Sequence, residues 1–219
     1  MKRNSGGWES ILESPQCREV LKRVDDLRKK GDIYPIKKDV FRAFKDCPFE
    51  KVRVVILGQD PYASKGQAIG RAFAVPNSKD VPRSLKNIFD EVQRDYPGGP
   101  NPKRTLKSWA TQGVFLLNTA LTVEDGDFNS HAKIGWKKAV TIPTLKKLSA
   151  ERKHLVFMLW GRPAKSFEHI LNQRRHRVLK AGHPSRAAAT GFQKCGHFRK
   201  ANNYLSKHGV QQIIWTNEP

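Results

Sequence analysis

The amino-acid sequence predicts one α/β domain built on a central four-stranded, mainly parallel sheet flanked by helices. Two observations predict it. Three short apolar runs, each closed by a glycine or a polar residue, have the composition of strands buried on both faces, and a weaker fourth ends in the same way. Helical periodicities fill the intervals between them, the alternation that a parallel sheet requires. With 219 residues, five Trp and eleven Phe, the chain can bury a substantial core, and neither an internal repeat nor a linker divides it, so residues 1–219 read as a single unit.

Taken in order, residues 1–7 lack any pattern and read as a flexible tail. From 8 to 31, Trp8, Ile11, Leu12, Val20, Leu21, Val24 and Leu27 recur at three- and four-residue steps until Gly31, predicting an N-terminal helical cover. Val52 and Val54-Val55-Ile56-Leu57 form the first strand, ending at Gly58. Val114-Phe115-Leu116-Leu117 forms the second, ending at Asn118, and Leu155-Val156-Phe157-Met158-Leu159 the third, ending at Trp160-Gly161. A weaker fourth, Arg177-Val178-Leu179-Lys180-Ala181, ends at Gly182-His183. Helical patterns lie near 83–95, 103–112, 135–149 and 163–174.

Charge narrows the function. The 41 Lys and Arg exceed the 20 Asp and Glu, giving +21, a surface that attracts polyanions and releases their counterions on binding. Nucleic acid is the expected partner, and the basic residues concentrate between Arg162 and Lys200. A membrane is the competing partner for such charge, but no stretch approaches 18 apolar residues and no single amphipathic helix carries the cations. A solvated basic surface serving solubility is the bland alternative. Cys17, Cys47 and Cys195 are too few and too widely spaced for a disulfide framework or a four-ligand metal site. Cys195-Gly196-His197 could offer two ligands without a partner pair, so no metal is predicted. The N-terminus lacks the apolar core of a secretory signal, and the expected location is intracellular: cytoplasmic in a bacterium, nuclear or at viral replication sites otherwise.

In open parallel sheets, ligands bind beyond the carboxyl ends of the strands, which is where the chemically capable residues fall. Gln59 and Asp60 follow the first strand, Asn118 the second, Gly161 the third and His183 the fourth. Each has a bland reading as well. Asp60 before Pro61 is equally a turn-forming residue, a strand-ending Asn118 is commonly a cap, and a lone His183 is commonly structural.

The residues together say more. Gly58-Gln59-Asp60-Pro61-Tyr62, Gly66-Gln67-Ala68, Phe73, Leu116-Leu117-Asn118-Thr119 with Leu121-Thr122-Val123, and His183-Pro184-Ser185 resemble the motifs of the family 1 uracil-DNA glycosylases, in family order and close to family spacing. The likeness extends through Ile33-Tyr34-Pro35, Val40-Phe41, Ser84-Leu85-Lys86-Asn87-Ile88, Ser130-His131, Leu159-Trp160-Gly161 and Gly196-His197-Phe198, from about residue 8 to the end.

The resemblance implies a monomeric enzyme of base-excision repair. It would flip uracil out of single- or double-stranded DNA and hydrolyse its N-glycosidic bond, leaving free uracil and an abasic site. Asp60 would stabilise the oxocarbenium-like sugar and position water, while a neutral His183 donates to uracil O2. Asn118 would read the uracil edge, with Gln59 beside it, Tyr62 would exclude the thymine methyl, and Phe73 would stack on the base. Ser84, Gly161 and Ser185 would grip phosphates, with His131 a further contact on that side. A basic cleft of this kind also suits a DNA-mimicking inhibitor protein.

Two departures stand out. Ala63 occupies a position where the family usually carries His, and Arg186-Ala187 replaces the usual Pro-Leu whose Leu fills the gap left by the flipped base. Ala187 is too short to fill that gap, so Arg186 or another loop residue is expected to support the duplex. The rival reading is a non-catalytic DNA-binding subunit on the same fold, and a purely electrostatic binder without a pocket comes third. Intact Asp60, Asn118 and His183 speak for the enzyme.

Overall fold

Four segments pair edge to edge, three of them buried along their whole length and the fourth, at the sheet edge, with Arg177 and Lys180 exposed, and each must find its hydrogen-bond partners within the protein. In the computed structural model, which describes residues 7–186 and 191–216, these are β2 (Val54–Gly58), β3 (Val114–Asn118), β5 (Val156–Trp160) and β6 (Arg177–Ala181). They form one sheet in the order β3-β2-β5-β6, with every pairing parallel. A separate two-residue antiparallel pair, β1 (Ile33–Tyr34) with β4 (Val123–Glu124), lies outside it. All four predicted strands are present.

Side-chain alternation along the strands divides the core in two. Val55, Leu57, Phe115, Leu117, Phe157 and Leu159 face one side, and Val54, Ile56, Val114, Leu116, Val156 and Met158 the other. The N-terminal segment covers the first face. Trp8 stacks on Phe115 at 4.9 Å, meets Phe44 and Phe49 edge-on, and donates its buried indole N–H to the Cys47 carbonyl. The second face is covered by α4 (Arg83–Asp95) and α8 (His197–Lys207), with Trp109, Phe198 and Trp215 between them.

The helices correct the sequence reading in four places. The single helix expected over 8–31 is α1 (Glu9–Leu12) followed by α2 (Pro15–Arg28). Ser14 caps α2 by accepting the Cys17 backbone N–H at 3.1 Å, and Pro15, lacking an N–H, can only stand in a first turn. The pattern at 103–112 yields only α5 (Lys107–Thr111), because Leu106 adopts a left-handed conformation that sets the start. The helix near 135–149 opens as a π-turn, Lys137–Thr141, before α6 (Ile142–Glu151), since Pro143 has no N–H to continue an α-ladder.

Near 163–174 the chain makes α7 (Arg162–Lys165) and one 3₁₀ turn, Glu168–Ile170. The Asn172 amide then bonds to Ser149 Oγ and draws the chain across to α6. α3 (Arg42–Asp46) and α8 were not anticipated. Phe198, Ala201 and Leu205 give α8 a helical stripe, but the buried His197 and Asn202 interrupt it.

The tail expected over residues 1–7 lies, apart from Gly7, outside the described residues, as does Ala187. Replacing Ser14 by Ala should lower stability by about 1 kcal/mol through loss of the α2 cap, measured as a reduced midpoint in urea unfolding with an unchanged slope.

Candidate active site

Register brings the site together. Gly58 and Asn118 are direct partners at the ends of β2 and β3, and Trp160 and Ala181 are partners at the ends of β5 and β6. Strand order reverses direction about β2, whose neighbours are β3 on one side and β5 on the other, and ligand crevices open at such a switch. The chains leaving β2 and β3 remain stapled to each other. Thr119 and Ala120 donate their amides to the carbonyls of Gly58 and Gln59, and Thr119 Oγ1 donates to Gln59 at 2.6 Å.

Asn118 is buried, and its Oδ1 is a buried acceptor that meets no donor among the described residues. Such an atom costs stability and is uncommon in a folded interior. A β-carbon placed on Gly58 would stand 2.2 Å from that Oδ1 and 2.9 Å from the Ala72 side chain, so only glycine leaves room for the amide.

Asp60 sits two residues beyond Gly58, half-buried. Its Oδ2 accepts the Asn129 backbone N–H at 2.7 Å, and Gln59 Nε2 donates to the Asn129 side chain at 3.1 Å. Burial pushes the Asp60 carboxyl above its ordinary value, and the Asn129 amide and its own backbone N–H act in the opposite direction. The loop carrying Asn129 thus holds the carboxylate in one place.

His183 leaves the end of β6. Its Nδ1 accepts the Ser185 backbone N–H at 3.2 Å and lies 2.8 Å from Ser185 Oγ. A backbone amide can only donate, so the proton of the neutral ring resides on Nε2. Burial lowers the His183 pKa and favours that neutral form. Gly161, at φ +87, gives the ring its space, since a β-carbon there would come within 3.1 Å of the His183 side chain.

Phe73 completes an aromatic wall, with ring centroids 5.6 Å from Trp160 and 6.2 Å from His183. Its backbone is left-handed, at φ +65, and its carbonyl accepts the Tyr62 hydroxyl at 3.1 Å. Burial raises the Tyr62 pKa, keeping the phenol neutral. Arg71, nearly inaccessible, fixes this turn by pairing with Asp46 at 2.7 Å and donating to the Thr105 carbonyl at 2.8 Å.

On the other rim, Ser84 stands half-buried in the first turn of α4, and Asn87 Nδ2 donates to the Pro184 carbonyl at 2.6 Å, which ties the Ser185 turn to that helix. His131 is placed differently from the sequence expectation. It is 2% exposed, its Nδ1 lies 2.7 Å from Thr122 Oγ1, which also accepts the Trp136 indole N–H, and its Nε2 faces Glu124 at 3.6 Å. It braces the loop beneath Asn129. Only the backbone of Arg186 belongs to the described residues, and Ala63 is enclosed with Tyr34 and Val123.

Asp60, Tyr62, Phe73, Asn118 and His183 are therefore joined through shared turns and rings. Sequence reasoning did not assign roles to Gly58, Arg71, Asn87, Asn129 or Trp160. A glycine ending a buried strand and an arginine inside an apolar stretch were the available signals.

The comparisons follow this geometry. A profile described as the Uracil DNA glycosylase superfamily matches residues 44–206. A uracil-DNA glycosylase of Neisseria gonorrhoeae is 45% identical over 215 residues, spanning 95% of this chain and 98% of that protein. One from Idiomarina loihiensis is 43% identical over 214 residues, spanning 95% and 99%. The crystal structure of mimivirus uracil-DNA glycosylase superposes with a TM-score of 0.88 at 25% identity, covering 98% of this chain and 87% of that one. A mimivirus UNG variant in complex with UGI superposes at 0.86, again at 25% identity, covering 95% and 85%.

Substituting Gly58 by Ala should displace the Asn118 amide and lower kcat/KM about 100-fold, the size of effect an ångström-scale misplacement produces. Circular dichroism and steady-state turnover of the same preparation separate that loss from unfolding.

Proposed function

Because the chain belongs to the uracil DNA glycosylase superfamily, it is a hydrolase of N-glycosyl bonds that removes uracil from DNA, and we propose that Asp60, Asn118 and His183 carry the reaction. The observation that supports this most is the orphaned Asn118 Oδ1. Uracil presents an N3–H donor between two carbonyl acceptors, so its edge supplies the missing donor while O4 accepts from the same amide. Cytosine has no proton on N3 and carries an amino group at C4, so it mismatches the amide twice. Thymine matches the hydrogen bonds and differs by its methyl, which Tyr62 excludes sterically. Phe73 and Trp160 supply the apolar wall against which the ring stacks.

The nucleotide must leave the helix to reach this slot, at a cost of a few kcal/mol. Ser84, Gly161 and Ser185, with Arg186, grip the phosphates that offset the cost. As the glycosidic bond breaks, negative charge moves onto the uracil and positive charge onto the sugar. His183 Nε2–H donates to the developing anion at O2, and the Asp60 carboxylate faces the developing cation and orients the water that attacks it. Neither group has to change protonation state before reaction. Gln59 and Asn129 keep the Asp60 loop closed on the site.

The protein acts as a monomer on single and double strands and resides inside the cell, in the cytoplasm of a bacterium. Its bacterial relatives support that location, and no helix among the described residues is long and apolar enough to cross a membrane. A DNA-mimicking inhibitor protein is a further partner, supported by the fold shared with the mimivirus variant bound to UGI.

The test is incubation with a uracil-containing oligonucleotide followed by alkaline cleavage at abasic sites. Wild type should cleave, while Asp60→Asn and His183→Ala should each lose about 10³-fold in kcat. Absence of uracil release from either strand form by the wild type would refute the assignment. Asn118→Asp should gain cytosine release, since a carboxyl group can accept from the C4 amino group. The pH profile follows from the shifts. His183 titrates below its ordinary value of about 6.5 and Asp60 above the ordinary carboxylate value of about 3.9, so kcat/KM should fall only on the acid side and stay level from about pH 7 to 9.

A further inference from the structure

The loop between β4 and the His131 turn carries an aromatic ring that meets no other ring among the described residues. Phe128 is 69% exposed, ahead of Ile36 and Ile214, the other exposed large hydrophobics among the described residues. One exposed apolar residue is ordinary, but two further observations single this one out.

The first is its place. The next residue, Asn129, donates its amide to the Asp60 carboxylate, so the Phe128 carbonyl carbon is covalently bound to the nitrogen that holds that carboxylate. The loop is also pinned throughout. Asp125 N–H donates to Asp32, Gly126 N–H to Ala63, Ser130 N–H to Asp127 and Gln59 to the Asn129 side chain. The exposed ring therefore stands on a held backbone beside Asp60, so contact costs the freedom of its side-chain torsions and little of the backbone's.

The second is its charge. Glu124, Asp125 and Asp127 lie within the four positions before Phe128, and no Lys or Arg occurs between Leu121 and Ala132, in a protein of net charge +21. This stretch of the rim repels phosphates. The contact it can offer a nucleic acid is the face of the ring, and every base has a π-face to meet it.

We propose that Phe128 is a stacking platform for a nucleobase flanking the uracil in an unpaired strand, an inference that rests on the uracil-excision reading above. It supplies, from the Asp60 side of the cleft, an apolar contact to the strand in a chain whose Ala187 is too small to serve as a wedge.

The test compares wild type, Phe128→Ala and Phe128→Trp on two single-stranded oligonucleotides. One holds uracil between thymines, and the other holds the same uracil between abasic spacers. On the first, Phe128→Ala should raise KM about tenfold with kcat within about twofold, and Phe128→Trp should retain wild-type KM. On the second, wild type should itself show the raised KM and Phe128→Ala should match it. Equal KM for wild type and Phe128→Ala on the thymine-flanked strand, or an equal rise on both strands, would overturn the platform while uracil excision stands. Concentration-dependent dimerisation of wild type that Phe128→Ala abolishes would overturn it in favour of contact with a second copy. Failure of wild type to release uracil from either strand would overturn the excision reading and the platform with it.

Discussion

Gly58 and Asn118 face each other across the last rung of the β2-β3 ladder, and the rest of the site is arranged around that pairing. Parallel register carries both strands to the same level, and the two chains stay bonded for two residues beyond it. The amide of Asn118 then lies over the one position on the opposite strand that has no side chain. Asp60 inherits its location from the same rung, since it follows Gly58 by two residues and is met from outside by the Asn129 amide. A slip of one residue between these strands would turn Asn118 to the other face of the sheet and remove the amide from the cleft.

A single physical cause, removal from water, acts on both titrating groups in the pocket. It raises the Asp60 carboxyl and lowers the His183 imidazole, and in each case a backbone amide selects the useful form. The Asn129 N–H favours the carboxylate at Asp60, and the Ser185 N–H fixes the Nε2–H tautomer at His183. Backbone donors are suited to this work because they cannot titrate or rotate away. The large positive charge of the chain acts at longer range, on the polyanion as a whole.

Three strands of the sheet were legible as nearly pure runs of Val, Ile, Leu and Phe, buried on both faces, and the fourth, with Arg177 and Lys180 exposed, less so; Gly58, Asn118, Gly161 and His183 mark their ends. Asp60, Asn118 and His183 were legible as a set because each directly follows or ends such a run. Helix boundaries were less so. Ser14-Pro15 breaks an apolar periodicity that continues across it, and Leu106 begins a helix from a left-handed backbone that its residue type does not announce. Residues acting through the backbone were invisible for the same reason. Asn129 works through its main-chain amide, and Arg71 through a buried ion pair with a residue 25 positions away. His131 illustrates the opposite limit, since its side chain was noted but the Thr122 and Trp136 contacts that enclose it depend on tertiary packing.

The strand order has a consequence for the order of synthesis. β2 lies in the interior of the sheet, with β3 on one edge and β5 on the other, so a ribosome releasing the chain from its N-terminus delivers β2 and β3 well before β5. During that interval one side of β2 is an open, wholly apolar edge, the kind of surface on which chains associate wrongly. His183, and the α8 helix that closes the second face of the sheet, emerge later still. The half-made protein therefore holds Asp60 and Asn118 without His183, the group proposed to donate to the leaving base, and a nascent chain tethered near nucleic acid has only part of the proposed cleft.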